Sequence, residues 1–249
     1  VKADGLALGK GVLICNTPDE ANAAIDQIMT DRAFGDAGSS VLIQELITGM
    51  EVSLHALCDG KTARLFPSSQ DHKRALDGDQ GLNTGGMGTY SPVPFLSDEK
   101  LNEMANAVLE PWLAGCAAEG IDFRGMLYPG IMLTDDGPKV LEFNARFGDP
   151  ETQVYLPRLE NDLVDLFEAS IDGTLDQHEL RWSDQSAVCV VIASGGYPGS
   201  YEKGKVITGI ADADALPGVK VFHAGTKLDD GNVVNAGGRV LGVTALGQG

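Results

Sequence analysis

Cysteine is scarce and scattered: Cys15, Cys58, Cys116 and Cys189 stand alone, with no C-x-x-C pair and no histidine at metal spacing. A disulfide framework and a zinc finger are thereby excluded, and four small core hydrophobes in a reducing, cytoplasmic setting are expected. Basic residues are in deficit, 18 Lys+Arg against 36 Asp+Glu, for a net charge of −18. Such a chain offers no electrostatic footprint to a nucleic-acid backbone or an anionic membrane. Long apolar runs are missing as well. The longest, 187–193, has seven residues, far short of the roughly 20 that span a bilayer. The first five residues have neither the basic start nor the apolar core of a signal peptide. What the chain has in excess is glycine, 32 residues in 249, nearly double the usual share of about 7%. The glycines follow no period, which excludes collagen and points to tight turns or backbone–ligand contacts. Hydrophobic residues at 43% and charged residues at 22% are those of a globular chain of one to two domains.

Periodicity outlines the elements. Residues 11–15 read as a short strand. Thr17-Pro18-Asp19-Glu20 forms a capping box, and Ala21, Ala24, Ile25, Ile28 and Met29 follow at helical spacing as one buried face. Residues 40–47 read as a strand. Over 51–59 Val52, Leu54, Ala56 and Cys58 alternate with Glu51, Ser53 and His55, and Asp59-Gly60 turns into a second strand over 61–66. Residues 68–94, dense in Gly, Asp and Asn, read as one long irregular stretch, and loops of this length are usually functional or disordered. Ser97 caps a helix carrying Leu101, Met104, Ala105, Val108, Leu109 and Trp112, which Pro111 is expected to kink or break. Residues 125–134 and 139–146 read as paired strands, and 162–171 as a helix ending at Gly173. From 183 onward short strands alternate with turns, among them Asp229-Asp230-Gly231-Asn232.

Three segments carry candidate chemistry. Gly5-Leu6-Ala7-Leu8-Gly9-Lys10-Gly11 supplies backbone N–H groups and a lysine for phosphate oxygens. It departs from the P-loop in spacing and in having Gly11 where a Ser/Thr would hold magnesium, so it reads either as a flap over a nucleotide or as a plain turn. Over 139–146, the period-2 rule puts Leu141, Phe143 and Ala145 on a core face and Glu142, Asn144 and Arg146 on the other. Glu142 and Asn144 offer oxygen ligands to a hard cation bridging phosphates, and Arg146 a planar fork to an anion. A solvated strand with a charge ladder is the alternative. The turn 147–151 adds the carboxylates of Asp149 and Glu151. In the long loop, Asp71, Lys73 and Arg74 mix signs as a site for both an amine and an anion requires, and 83–86 (NTGG) offers backbone donors. His72 is a candidate acid or base, or merely exposed. No Ser/His/Asp or Cys/His spacing suggests covalent catalysis.

The motifs VKADGLALGKGV, SSQDHKR, NTGGMGTYSP, LEFNARFGDPETQV, GYPGSYEKG, VFHAGT and GGRVLGVTA, in this order along nearly the whole chain, resemble the phosphoribosylamine–glycine ligase family of the ATP-grasp superfamily. The resemblance implies an α+β ATP-grasp fold, two α+β subdomains clasping ATP, over 1–182. Residues 1–47 would be part of the nucleotide lid and 48–182 the metal and substrate subdomain. Residues 183–249 would be a small, truncated β-rich C-terminal domain, with an N-terminal substrate domain missing. ATP would be held by Lys2, Gly9, Lys10, Gly11, the hinge Glu45, Leu46 and Ile47, and Glu51. Glu142 and Asn144 match the ligands of Mg²⁺ or Mn²⁺. Arg146 and the 148–149 turn would face the transferred phosphoryl group and glycine, with Asp71, His72 and Lys73 in the substrate loop; Arg146, Asp71 and Lys73 are the catalytic candidates.

The implied reaction joins glycine to 5-phosphoribosylamine through glycyl phosphate, giving glycinamide ribonucleotide, ADP and phosphate in purine biosynthesis. A cytoplasmic monomer without nucleic-acid or membrane partners is expected. The scarce positive charge of Lys2, Lys10, Lys73 and Arg146 should gather in one cleft. The rival readings are another ATP-grasp ligase, a silent nucleotide-binding module, and a structural interaction domain in which Glu142 and Asn144 face away from any cleft.

Overall fold

The protein, seen as a computed structural model that describes residues 1–7 and 11–248, is built as two units, Val1–Gly49 and Met50–Gly249. In the first, β1 (Lys2–Ala3) is followed by α1 (Pro18–Ile25) and β2 (Val41–Leu42), and β1 pairs antiparallel with β2. Residues 11–13 also bond to the opening residues: the Val1 ammonium donates to Leu13 O at 2.9 Å and Ala3 N to Gly11 O at 2.8 Å. The strands expected over 11–15 and 40–47 thus shrink to a bridge at Val12 and a two-residue β2. The capping box forms: Glu20 N donates to Thr17 Oγ1 at 3.2 Å, and Glu20 Oε2 accepts from Asn16 N at 2.7 Å. Past Ile25 the helix widens into a π-turn over Asp26–Thr30. That change of winding keeps Ile28 buried but turns Met29, expected on the buried face, 38% exposed.

The second unit runs β3 (Met50–Ser53), β4 (Ala56–Asp59), β5 (Ala63–Leu65), β6 (Gln70–Asp71), β7 (Arg74–Leu76), β8 (Gln80–Asn83) and β9 (Gly88–Ser91). Then come α2 (Asp98–Ala118), β10 (Arg124–Thr134), β11 (Gly137–Asn144), α3 (Thr152–Tyr155) and α4 (Leu163–Asp172). The remainder is β12 (Ser186–Ala193), α5 (Ile210–Asp214), β13 (Val219–His223), β14 (Thr226–Asp229), β15 (Asn232–Asn235) and β16 (Arg239–Gly247). One sheet has the order β11-β10-β4-β5, with β3 also on β10; the other has the order β13-β16-β12-β9-β6.

The strand expected over 51–59 is split in two for a local reason. Register is continuous across the gap, Ser53 opposite Gly130 and Ala56 opposite Leu127, but the intervening partner is Pro129, which has no N–H to give the ladder. Its alternation is as read, and it divides two cores. Val52, Leu54, Ala56 and Cys58 pack with Leu101, Met104, Ala105 and Val108 of α2. Leu57, from the opposite face of β4, packs with Phe66, Tyr155, Leu166 of α4 and Cys189 of β12. Burial on both sides pushes the Cys58 thiol up to about 12, so this cysteine is a core hydrophobe. Pro111 does not break α2, which continues to Ala118. Pro111 and Ala107 both lie exposed, so the carbonyl freed four residues back faces water.

The largest departure from the expected layout is the stretch 68–94, which holds four short strands. β7 and β8 form a hairpin, while β9 and β6 complete the sheet of β12, β16 and β13. Gly-, Asp- and Asn-rich composition hides such strands because each is two to four residues long, and β6 and β9 are held by partners farther along the chain. The β14–β15 hairpin and the α4 stop at Gly173 (φ 72°) fall as read.

Candidate active site

β11 is an outer strand of its sheet, and its polar side chains form a ladder. Asn144 Nδ2 donates to Glu142 Oε1 at 3.2 Å, and Arg146 Nη2 donates to Asn144 Oδ1 at 3.3 Å. An acid, an amide and a guanidinium at i, i+2 and i+4 therefore share one face. Asn144 Nδ2 lies also 3.4 Å from Tyr128 O on the paired strand, and the Arg146 guanidinium sits 5.9 Å from the centre of the Tyr128 ring. The opposite face of β11 is not the core face expected for Leu141, Phe143 and Ala145. Phe143 is 49% exposed and Ala145 exposed, because an outer strand with an uncovered side has no layer to pack against.

Beneath the ladder the polar face of β3 enters a buried network. Tyr128 stacks on His55 at 4.0 Å between ring centres, and its hydroxyl donates to Glu151 Oε1 at 2.5 Å. Ser53 Oγ donates to the same oxygen at 2.9 Å. Tyr155 OH lies 3.0 Å from His55 Nδ1 and 2.6 Å from Ser69 Oγ. His55 is fully buried; burial, helped by the Arg146 charge, lowers its pKa to about 3, so the imidazole is neutral. Its Nε2 has no partner among the described residues. A Cβ on Gly148 would strike both that nitrogen and Glu151 Oε2, so the 148–150 turn lies flush on the network and only glycine fits there.

Asp71, Lys73 and Glu51 form the third group. Lys73 Nζ is paired with the Glu51 carboxylate. Burial works against the lysine charge, but Glu51, with Asp71 and Glu151 behind it, more than offsets it and the pKa lies above the ordinary lysine value. Burial pushes the Asp71 carboxyl up to about 8; Glu151 and Glu51 add to the rise, while Lys73 and the His72 amide oppose it. Asp71 Oδ1 is buried and has no hydrogen-bond partner among the described residues. A carboxylate in that state is poised to take a cation or an ammonium group. His72 beside it is exposed, the bland alternative for that residue.

The structure thus brings Glu51, Asp71, Lys73, Glu142, Asn144 and Arg146 into the second unit. Lys2, Gly11, Glu45, Leu46 and Ile47 belong to the first, and Gly9 and Lys10 lie outside the described residues. Lys2 pairs opposite Leu42, and Glu45, Leu46 and Ile47 follow β2 without regular structure, the first two exposed. Gly11 is buried where a Cβ would meet Ala3 and Ala7, and a Cβ on Gly5 would meet the Ala37 backbone. Close packing by itself accounts for these two glycines. Sequence reasoning passed over His55, Tyr128, Tyr155 and Arg239. Ser53 and His55 had a signal, two polar residues on the far face of an alternating strand; Arg239 had none. Two cavities, of about 340 Å³ beside β13 and β16 and about 410 Å³ between β5 and α2, are lined by none of the site residues. Among the described residues no three His, Cys, Asp or Glu side chains cluster as a metal site, and no helix is long and apolar enough to cross a membrane.

Oxygen ligands and a guanidinium in line on β11 and just past its end, in an α+β chain with a glycine-rich opening segment, agree with the ATP-grasp class that the sequence motifs resemble. Comparison with known families narrows the class. The chain belongs to the phosphoribosylglycinamide synthetase family, whose ATP-grasp (A) domain matches residues 1–152 and whose C domain matches 187–249. A phosphoribosylamine–glycine ligase of Rhodopirellula baltica is 54% identical over 249 residues, all of this chain and 57% of that protein. The trifunctional purine biosynthetic protein adenosine-3 of Gallus gallus is 53% identical over 247 residues, 99% of this chain and 24% of its own length. The crystal structure of a phosphoribosylamine–glycine ligase from Thermotoga maritima superposes with a TM-score of 0.81 at 36% identity, over all of this chain and 60% of that one. The chain therefore spans a little over half the length of the ligases it matches.

Proposed function

We propose that the chain provides the ATP-grasp and C-terminal portions of an ATP-dependent ligase that joins glycine to 5-phosphoribosylamine. The reaction passes through glycyl phosphate and yields glycinamide ribonucleotide, ADP and phosphate. The observation that carries this reading is the hydrogen-bonded ladder of Glu142, Asn144 and Arg146 in a chain whose relatives bear the ligase name. The donor set suits a magnesium or manganese ion: one carboxylate and one amide oxygen, with the remaining positions left to phosphate and water. A cation held there supplies charge neutralisation to the triphosphate.

The rest of the work belongs to side chains. Arg146 orients an anionic oxygen with its fork, its plane steadied by Tyr128. Asp71, whose Oδ1 has no partner among the described residues, holds the ammonium of an amine substrate, and Lys73, kept charged by Glu51, faces the anionic one. Together they let a carboxylate approach a triphosphate, an approach in water opposed by like charge. Lys2, Gly9, Lys10, Gly11, Glu45, Leu46, Ile47 and Glu51 are the nucleotide contacts of this reading. The boundary at 182/183 falls between the two matched family segments, which supports it. The chain acts as a cytoplasmic monomer with two small-molecule substrates.

Phosphate release from ATP tests the proposal when glycine and phosphoribosylamine are added singly and together. Release that requires glycine and rises with the amine is the expected result. Release indifferent to glycine would leave a nucleotide-binding module or a different ligase.

A further inference from the structure

Arg239, at the start of β16, makes the densest set of hydrogen bonds of any side chain beside the site. Its Nη1 donates to Gly85 O and Asp149 O, both at 2.8 Å, with Gly86 O and Asp149 Oδ1 at 3.4 Å, and its Nη2 donates to Asp149 Oδ2 at 3.1 Å. One guanidinium thus joins the 84–86 loop to the 148–150 turn, segments more than sixty residues apart in sequence. Its side chain is only 22% exposed. A second tie runs the same way: Gly85 N donates to Tyr197 OH at 3.1 Å, and Gly238 packs so closely on the Tyr197 ring that a Cβ would collide.

Both joined segments lead to site residues. Thr84 N and Oγ1 each donate to Lys73 O, at 2.7 and 2.8 Å. Gly86, at φ 113°, leaves no room for a Cβ between the Asp71 carboxylate and the Pro150 ring. The turn rests on His55 and Glu151 through Gly148.

We propose that Arg239 is a positioning residue: by holding the 84–86 loop against the 148–150 turn it fixes the enclosure of Asp71 and the place of Asp149, and so the binding of the small amine-bearing acid. Neither segment has regular structure of its own at the junction, so the enclosure depends on the clamp. A planar fork with several fixed donors serves three carbonyls and a carboxylate at once; a lysine ammonium in its place reaches fewer of them and lacks the plane. In this way the C-terminal motif GGRVLGVTA acts on the site through the 84–86 loop and the 148–150 turn.

The kinetic part of the test rests on the ligase reading, whereas amide hydrogen exchange does not. In Arg239→Ala, exchange should quicken by at least roughly tenfold at 85–88 and 151–153, with β4 and β10 unchanged. The same variant should raise KM for glycine on the order of tenfold to a hundredfold while KM for ATP stays within about twofold. Millimolar guanidinium should restore part of the loss, and Arg239→Lys should fall between the two proteins. Unchanged exchange at both segments, or equal rises in the two KM values without rescue, overturns the proposal. Should the wild-type chain show no glycine-dependent turnover, the ligase reading fails and exchange alone decides the role of Arg239.

Discussion

The exposed ladder on β11 and the enclosed group around Asp71 are assembled in opposite ways. Glu142, Asn144 and Arg146 come from five consecutive residues, the first two on an outer strand and the third just past its end, and their hydrogen bonds to one another are local. Asp71, Lys73, Glu51 and Glu151 come from β6, the loop after β6, β3 and the turn before α3, with Tyr128 of β10 and Arg239 of β16 closing the surround. The ladder is open, where an oxygen set keeps room for phosphate and water. The enclosed group is dry enough to push Asp71 up to about 8. One region offers ligands ready-made, while the other holds a charge imbalance that a substrate relieves. Changes in the first should therefore act on turnover and spare stability, and changes in the second should do both.

The largest effect is expected at Glu142. Glu142→Gln removes the charged ligand from an exposed position, so phosphate release should fall by roughly 10²–10³-fold while stability shifts by less than about 0.5 kcal/mol. Steady-state rates and a urea titration read the two quantities, and a drop in both together would merge the two regions into one. Glu151→Ala makes the opposite cut. Its carboxylate is 2% exposed and takes two buried hydroxyl donors, and its loss should cost about 2–4 kcal/mol of folding stability. A loss below about 1 kcal/mol would mean that water replaces it and that the network is not dry.

The pH dependence sharpens the contrast. The unfolded chain releases the Asp71 proton near the ordinary aspartate value of 3.8, the folded chain only at about 8. Between those values the folded state binds more protons than the unfolded, so this group's contribution to stability falls as pH rises and is fully lost above about 8. Asp71→Asn should remove that slope: its Tm should exceed that of the parent by a margin that widens from pH 5 to pH 8, while turnover drops. Parallel Tm curves would show that Asp71 titrates as an ordinary surface carboxylate.

These same two regions show what the sequence discloses. The ladder was legible because a strand's two-residue period places i, i+2 and i+4 on one face whatever lies around it. The capping box at Thr17, the cap at Ser97 and the stop at Gly173 were legible for the same local reason. Burial and long-range register were not. The alternation of 51–59 separated Val52 and Leu54 from Ser53 and His55 but did not show that the polar face would be buried against Tyr128, Tyr155 and Glu151. Of the short strands within 68–94, β9 and β6 join a sheet only through β12, and Arg239 became a clamp only when β16 was laid beside β12. The opposite face of β11, expected to pack, is open because nothing in the local pattern says which strand will be outermost.

Tyr128 is where the two regions meet, and it offers the finest cut. Its ring lies between His55 and the Arg146 guanidinium, while its hydroxyl serves Glu151 and Ser53. Tyr128→Phe keeps the ring and deletes the hydroxyl, so one charge-assisted hydrogen bond is lost at about 1–2 kcal/mol. If the ring alone steadies Arg146, turnover should stay within about threefold of the parent, since a cation–π contact at an exposed site contributes only about 0.5–1 kcal/mol and is retained. Tyr128→Leu, which removes ring and hydroxyl together, should lower turnover further at a similar or larger stability cost. Equal turnover losses in the two variants would show that the ladder is held through Glu151 rather than through the aromatic face, joining exposed and enclosed groups in a single machine.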